Sequence, residues 1–267
     1  MPQSFDQYYY ATSCGKPYER NEEWLSFFGK IAKRIKEEIN PGKTLDAGCA
    51  LGFLVEKMRE CGIEAFGCDI SEFAITNAHK SIQDYVFQAS LTEPIQEKYD
   101  MIITIEVLEH MQKEDSEIAI KNLCEASNDI LFSSTPFDYK ESTHWNVQSP
   151  DYWSEQFAKH GFYRDVNFDA SFITAWAVRY RKRNEPIHRL VKEYEQVFWM
   201  LKKENVDLRE LATENEAQLK ILQEQHQDLI TQVNRLQSFE NEIIDIKSSE
   251  TWKLMHKITT LRNKIKK

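Results

Sequence analysis

Hydrophobic and polar positions change rhythm twice along the chain. From Asn21 to Ile39 the apolar residues Trp24, Phe28, Ile31, Ala32, Ile35 and Ile39 recur at steps of three and four, which predicts a helix with one buried stripe. Asn21 can cap it, Glu22 and Glu23 suit its positive end, and Pro41-Gly42 stops it. Beyond Lys43 short apolar runs alternate with helical patterns. Residues 44–47, 64–68, 85–89, 99–105, 130–133, 163–168 and 173–180 read as strands, and helices are expected over 51–61, 71–80, 115–127 and 152–160. Such alternation requires crossovers, so the fold class is α/β: a doubly wound, mostly parallel seven-stranded sheet with helices on both faces. The link Asp169-Ala170-Ser171-Phe172 is short, which predicts an antiparallel hairpin of the last two strands at one sheet edge.

The second change comes after Pro186, beyond which the chain has no Gly and no Pro. Ile187, Tyr194, Leu201, Leu208, Asn215, Leu222, Leu229, Leu236 and Ile243 stand seven apart. A parallel seam runs from Leu190 and Val197 to Phe239 and Ile246, with polar Glu204, Gln218, Gln225 and Gln232 weakening its middle. Strict seven-residue spacing predicts a long α-helical coiled coil, about 90 Å at 1.5 Å per residue, and Asn215 favours two strands in fixed register. A homodimer is the expected partner state, with a trimer or a heterotypic partner as alternatives. In the last segment Trp252, Met255, Ile258, Leu261 and Ile265 make an apolar stripe among basic residues, a pattern that lies on anionic membranes or docks on proteins. The expected organisation is a globular domain over 1–183, a coiled-coil arm over 184–247 and a basic amphipathic tail over 248–267.

Composition narrows the function classes. A net charge of -9 in 267 residues argues against a phosphate-backbone binder, so no nucleic-acid partner is expected. Cys14, Cys49, Cys61, Cys68 and Cys124 are odd in number and form no C-x-x-C pair, which fits small core groups in a reducing compartment. The start of the chain lacks the charge and apolar pattern of a signal peptide, and no uncharged run is long enough to span a bilayer. A cytoplasmic protein is expected, peripheral at the inner face of the membrane if the tail binds lipid. No metal-ligating constellation is evident.

The chemistry concentrates after the first strand, in Asp46-Ala47-Gly48-Cys49-Ala50-Leu51-Gly52. Ligands of doubly wound sheets bind at the carboxyl ends of strands. Gly48 lets the backbone turn tightly and approach a ligand, and Asp46 can meet a cationic ligand end. Asp69, 21 residues beyond Gly48 at the end of the second strand, can accept ribose hydroxyls. The loop lacks two glycines of a dinucleotide fingerprint. With the later Glu106-Val107-Leu108-Glu109-His110 segment, this order resembles the class I SAM-dependent methyltransferases, small-molecule branch, over residues 18 to 180.

That resemblance implies a Rossmann-like fold with S-adenosylmethionine (SAM) as cofactor. It places Asp46, Gly48, Cys49 and Gly52 at the methionine part, Asp69 and Ile70 at the ribose, Ala89 and Ser90 at the adenine, and Glu106 and Val107 at the methionine end. Ala50 stands where the family usually has the middle glycine, and Ser90 where it often has Asp. Methyl transfer is an in-line displacement helped by alignment, and an alcohol acceptor gains from a base near neutral pKa. His144 and His110 follow the strands that face the acceptor and are the candidate catalytic residues. Residues 1–20 read as a lid, with Tyr18 and Arg20 as contacts to SAM or substrate. The S-x-x-W-K-L…L-R tail is similar to tails of bacterial surface-polysaccharide proteins, which points to a hydroxyl of a sugar or surface-glycan intermediate as acceptor. Two other readings stay open: a quinone-type phenol or an amine as acceptor, and an inert SAM-binding scaffold acting through the coiled coil.

Overall fold

The computed structural model describes residues 5–265. The first four residues of the expected lid and the last two of the expected tail lie outside them. The chain divides into two compact units, Met1–Tyr194 and Glu195–Lys267.

The first unit opens with helix α1 (Gln7–Thr12), whose cap Asp6 accepts from the backbone N–H of Tyr9. Helix α2 (Glu22–Glu38) starts at Asn21, which accepts from Trp24 N–H, and buries Phe28, Ile31, Ala32 and Ile35, the predicted stripe. Then come β1 (Lys43–Ala47), α3 (Phe53–Glu60), β2 (Glu64–Asp69), α4 (Glu72–Thr76), β3 (Val86–Gln88), β4 (Met101–Ile105), α5 (Lys113–Ala126), β5 (Asp129–Ser133), α6 (Pro150–Ala158), β6 (Phe162–Arg164) and β7 (Val178–Lys182). The seven strands form one sheet in the order β3-β2-β1-β4-β5-β7-β6. β1 pairs parallel with β2 and β4, β2 with β3, and β4 with β5; β7 is antiparallel to both β5 and β6. Two apolar clusters cover the two faces, one built on α2 and α3 and one on α5 and α6. Strand order reverses between β1 and β4, which opens a crevice at their carboxyl ends.

Three expectations need correction. The helix expected from Leu51 starts at Phe53, because Gly52 sits at φ 75° as the last residue of the loop. The helix expected over 71–80 stops at Thr76, where the Asn77 side chain donates to the Phe73 carbonyl at 2.8 Å and takes up a helix acceptor. The last two strands are antiparallel as expected, but no tight hairpin joins them. Residues 165–177 make an irregular excursion between them, folded by turns such as Ser171 N–H on Asp169 Oδ1 (2.9 Å), because Ala170 and Ile173 turn into the core instead of extending a strand.

Helix α7 (Ile187–Ser248) begins in the first unit, where Leu190 is buried and the Tyr194 hydroxyl accepts from Arg164 N–H at 3.1 Å. In the second unit α7 continues with Leu201, Leu208, Leu222, Leu229, Leu236 and Ile243 all exposed in the single chain. Ser249 breaks it, and its hydroxyl accepts from Trp252 N–H at the start of α8 (Glu250–Ile265). Trp252, Met255, Ile258 and Leu261 of α8 are exposed. No helix among the described residues is long and apolar enough to cross a membrane.

Candidate active site

The carboxyl end of β1 turns through the loop 48–52. Gly48 has φ 88°, and a Cβ there would stand 2.4 Å from Val107 Cγ2, so the tight turn admits no side chain. The N–H groups of Gly48 and Cys49 both donate to the Cys68 carbonyl, at 2.8 and 3.0 Å, which ties the loop to β2. Ala50 adopts φ 47°, a left-handed conformation that costs an L-residue roughly 1–2 kcal/mol. Its N–H donates to Asp69 Oδ2 at 2.8 Å, while Ser71 N–H donates to Oδ1 at 2.8 Å. The Ile70 backbone also acts on this carboxyl, and the two oxygens, with about four lone-pair sites between them, still keep capacity for a ligand. Burial raises the Asp69 carboxyl from its ordinary value, against the lowering effect of those donors.

Asp46 is 5% exposed, and no donor among the described residues hydrogen-bonds its carboxylate. Burial, and then the charge of Asp69, push it up to about 8. The Tyr18 phenol stands close enough to Asp46 to be raised by it, after burial, and its ring stacks on Phe53 at 4.9 Å. Tyr18 and Arg20 line, with Tyr10, Leu51 and Phe73, a cavity of about 440 Å³. The Arg20 guanidinium itself is engaged by Glu56 of α3 at 2.6 and 3.1 Å. Ile70 is exposed beside Asp69, and its carbonyl accepts from Gln88 at 3.0 Å. Ala89 N–H donates to the Asp69 carbonyl at 2.9 Å. The Ser90 hydroxyl is taken up within its own turn, meeting Thr92 Oγ1 at 2.8 Å.

The ends of β4 and β5 make the other half. Glu106 has φ 53°, and its Oε1 accepts from the Ser133 hydroxyl and from Trp176 Nε1–H at 2.9 Å. Thr174 meets Ser133 at 2.9 Å, so the excursion 165–177 delivers two site residues. Glu109 is fully buried; Oε1 takes Thr135 N–H at 3.3 Å and Oε2 has no hydrogen-bond donor. Burial, and then Glu106, raise the Glu109 carboxyl well above its ordinary value. The rings of His110 and His144 lie 4.6 Å apart. His110 Nδ1 is 2.9 Å from the Thr143 hydroxyl, and burial followed by the neighbouring His144 lowers it to about 4. His144 Nδ1 donates to the Asp138 carbonyl at 2.8 Å and Nε2 is 3.3 Å from Glu141 Oε2. The loop carrying His144 is pinned, because Trp145 and Asn146 N–H both donate to the Glu109 carbonyl, at 2.8 and 2.9 Å.

Helix α1 spans both halves. Tyr10 is buried and stacks on Phe73 at 5.8 Å, and the Ser71 hydroxyl donates to the Phe5 carbonyl. Phe5 and Tyr9 meet His110 edge-on at 5.7 and 6.1 Å. The structure thus brings Asp46, Gly48, Asp69, Tyr18 and Val107 together at one end, and Glu106, His110 and His144 at the other. Sequence reasoning missed Glu109, Thr143, Thr174 and Trp176, and reached Tyr9 only as part of the lid over 1–20. A charged residue next to His110 after an apolar strand was a signal for Glu109; Thr143, Thr174 and Trp176 lie on irregular segments that carry none.

A family profile described as "Methyltransferase domain" matches residues 18–169. The chain belongs to the class I SAM-dependent methyltransferase family. This methyltransferase chain is 31% identical over 98 residues to the ubiquinone biosynthesis O-methyltransferase of Brucella melitensis biotype 2, covering 34% of this chain and 40% of that protein. The protein of that name from Brucella ovis is 30% identical over the same shares. The chain therefore matches about two fifths of the length of these curated relatives. Among solved structures, the magnesium protoporphyrin IX methyltransferase of Synechocystis PCC 6803 with bound SAH is similar at TM-score 0.51 and 17% identity, over 66% of this chain and 97% of that one. The same enzyme with bound SAM matches at TM-score 0.51 and 18% identity, over 66% and 94%. At such identity the likeness speaks to the fold.

Proposed function

We propose that this domain binds SAM at the carboxyl ends of β1 and β2 and methylates a hydroxyl of a small acceptor held at the ends of β4 and β5. The observation that carries this reading is Asp46, a buried carboxyl with no partner, beside Asp69 and under Tyr18. A lone buried carboxylate is costly unless a cation meets it, and the α-ammonium of SAM is such a cation. Asp69 keeps lone pairs for two ribose hydroxyls, Gly48, Cys49 and Gly52 form the loop beside the methionine part, and Ile70, Ala89 and Ser90 flank the base. Glu106 and Val107 close the methionine end. Tyr18 covers the site, with Arg20 braced behind it by Glu56. When bound, SAM supplies an electrophilic methyl group on a sulfonium.

At the acceptor end the Asp138 carbonyl holds His144 Nδ1–H, which leaves Nε2, beside Glu141, to take the acceptor's proton. His110, lowered to about 4, is a poor base at neutral pH, and its Nδ1 meets the Thr143 hydroxyl. The acceptor we favour is a sugar or surface-glycan hydroxyl. Exposed Phe137 and Trp145 offer ring faces to a sugar, and the basic tail fits a protein working beside membrane-borne glycan intermediates. A phenolic hydroxyl is the second reading, favoured by the name of the Brucella relatives. The exposed heptad leucines of α7 fit a coiled-coil homodimer over 184–247, with residues 248–267 as a tail for an anionic surface.

The test is transfer of labelled methyl from SAM to matched panels of sugar nucleotides, glycan extracts and catechol-type phenols. Product on the sugars alone supports the favoured acceptor. Product on phenols alone replaces it with the second reading. SAM binding without turnover on either returns the chain to the scaffold reading. Equilibrium sedimentation of the full chain and of Leu208→Glu tests the arm, and a monomeric wild type contradicts the dimer.

A further inference from the structure

Hydrogen bonding fixes how the two histidines of the acceptor end present themselves. The Asp138 carbonyl can only accept, so His144 carries its proton on Nδ1. In the neutral ring Nε2 is then a bare lone pair, and it stands 3.3 Å from Glu141 Oε2, which is a second lone-pair donor. Thr143 spends its hydroxyl proton on Glu141 Oε1, so the Thr143 oxygen accepts from His110 Nδ1–H. His110 Nε2 is a bare lone pair as well. Two imidazoles are thus oriented by carbonyl and hydroxyl–carboxylate partners behind them, the arrangement that fixes metal-ligating histidines.

The third group is Glu109. It is fully buried, and its Oε2 has no hydrogen-bond donor. Ligand atoms of Glu109, His110 and His144 all lie within 4.8 Å of one another. Atoms bound to one ion at about 2.1 Å stand roughly 3–4 Å apart, so a small contraction completes a shared centre. Glu106 adds a further carboxyl in contact with that of Glu109. Imidazole lone pairs and two carboxyls converge here, no Lys or Arg among the described residues hydrogen-bonds them, and the loop that carries His144 is pinned to the Glu109 backbone.

We propose that Glu109, His110 and His144 form a binding site for one divalent first-row cation at the acceptor end of the cleft. Two imidazole nitrogens with one or two carboxylate oxygens suit Mn²⁺, Fe²⁺, Co²⁺ or Zn²⁺. Three protein ligands leave coordination positions open, and an acceptor hydroxyl bound there has its pKa lowered by the ion. The ion then takes over from the imidazole base, and His144 becomes a ligand. The use of the ion toward an acceptor rests on the methyltransferase reading; the site itself does not.

The experiment is a Co²⁺ titration of the metal-stripped full chain, read by visible absorption and by calorimetry, with SAH binding measured on the same samples. The expected result is one saturable equivalent with ligand-field bands, weakened at least ten-fold in His110→Ala and in His144→Ala while thermal melting of the apo variants stays close to wild type. Glu109→Gln, nearly isosteric at a buried position, gives the same loss and, if it fails to fold, leaves the histidine variants to decide. No saturable cobalt binding by the folded wild type overturns the site, as does binding that survives in the double histidine variant. Cobalt binding without SAH binding upholds the site and removes the donor reading; SAH binding without cobalt binding does the reverse.

Discussion

The two ends of the cleft are built in opposite ways. The β1–β2 end is local: one turn from Asp46 to Gly52 and one acid, Asp69, are locked by backbone bonds from Ala50 and Ser71 and by the N–H groups of Gly48 and Cys49 on Cys68. The β4–β5 end is assembled from afar, with Glu106 meeting Trp176 across 70 residues and His110 meeting Thr143 across 33. The local end has the rigidity that holding one fixed molecule requires. The assembled end depends on segments 134–147 and 165–177, where acceptor specificity can change without touching the cradle.

The sharpest way to break this comparison is Gly48→Ala. At φ 88°, with Val107 Cγ2 2.4 Å from the new methyl, strain and overpacking together cost about 3 kcal/mol or more by denaturant unfolding. A cost under 1 kcal/mol means that the turn is not the rigid element claimed here.

Asp46→Asn comes next and acts through pH. The folded carboxyl titrates at about 8, against an ordinary 3.8, so between those values the folded chain holds a proton that the unfolded chain has lost. Stability of the ligand-free protein therefore falls as pH rises from about 4 to about 8. Asp46→Asn flattens that fall, stabilises the apo protein at pH 8 by about 1–3 kcal/mol, and weakens SAM binding at least ten-fold. Melting curves across pH, with SAM calorimetry, check both halves. A variant that binds SAM as the wild type does removes Asp46 from the cradle.

A smaller effect separates the ends directly. Trp176→Phe removes the indole donor to Glu106 and should change acceptor KM or turnover several-fold while leaving the SAM Kd within about two-fold, about 0.4 kcal/mol. Equal losses in both would show that the ends act as one unit. Smallest is Ala50→Gly, which relieves the left-handed alanine and should stabilise the fold by about 0.5–1 kcal/mol, net of glycine's greater unfolded-state entropy.

The same contrast explains what the sequence made legible. Asp46, Gly48 and Asp69 follow from a strand, a turn and a second strand, each with its own local pattern, and the heptads after Pro186 foretell a continuous helix. His110 and His144 were visible as candidates because each follows a strand, but nothing in their spacing of 34 residues placed their rings 4.6 Å apart. Trp176 fell inside an expected strand, since Ile173 to Tyr180 alternates well enough to pass for one. Burial of Ala170 and Ile173 overrode that local preference, and the excursion it created put Trp176 on Glu106. Metal chemistry was illegible for the same reason: its three groups meet only after a loop folds back.

The central claim, a SAM cradle held by Asp46 and Asp69, is tested most directly by calorimetric titration of SAM into the wild type and Asp69→Ala. The account predicts micromolar binding, roughly -8 kcal/mol, by the wild type and its loss in a variant that still melts cooperatively. No binding by the folded wild type, or equal binding by Asp69→Ala, would contradict it.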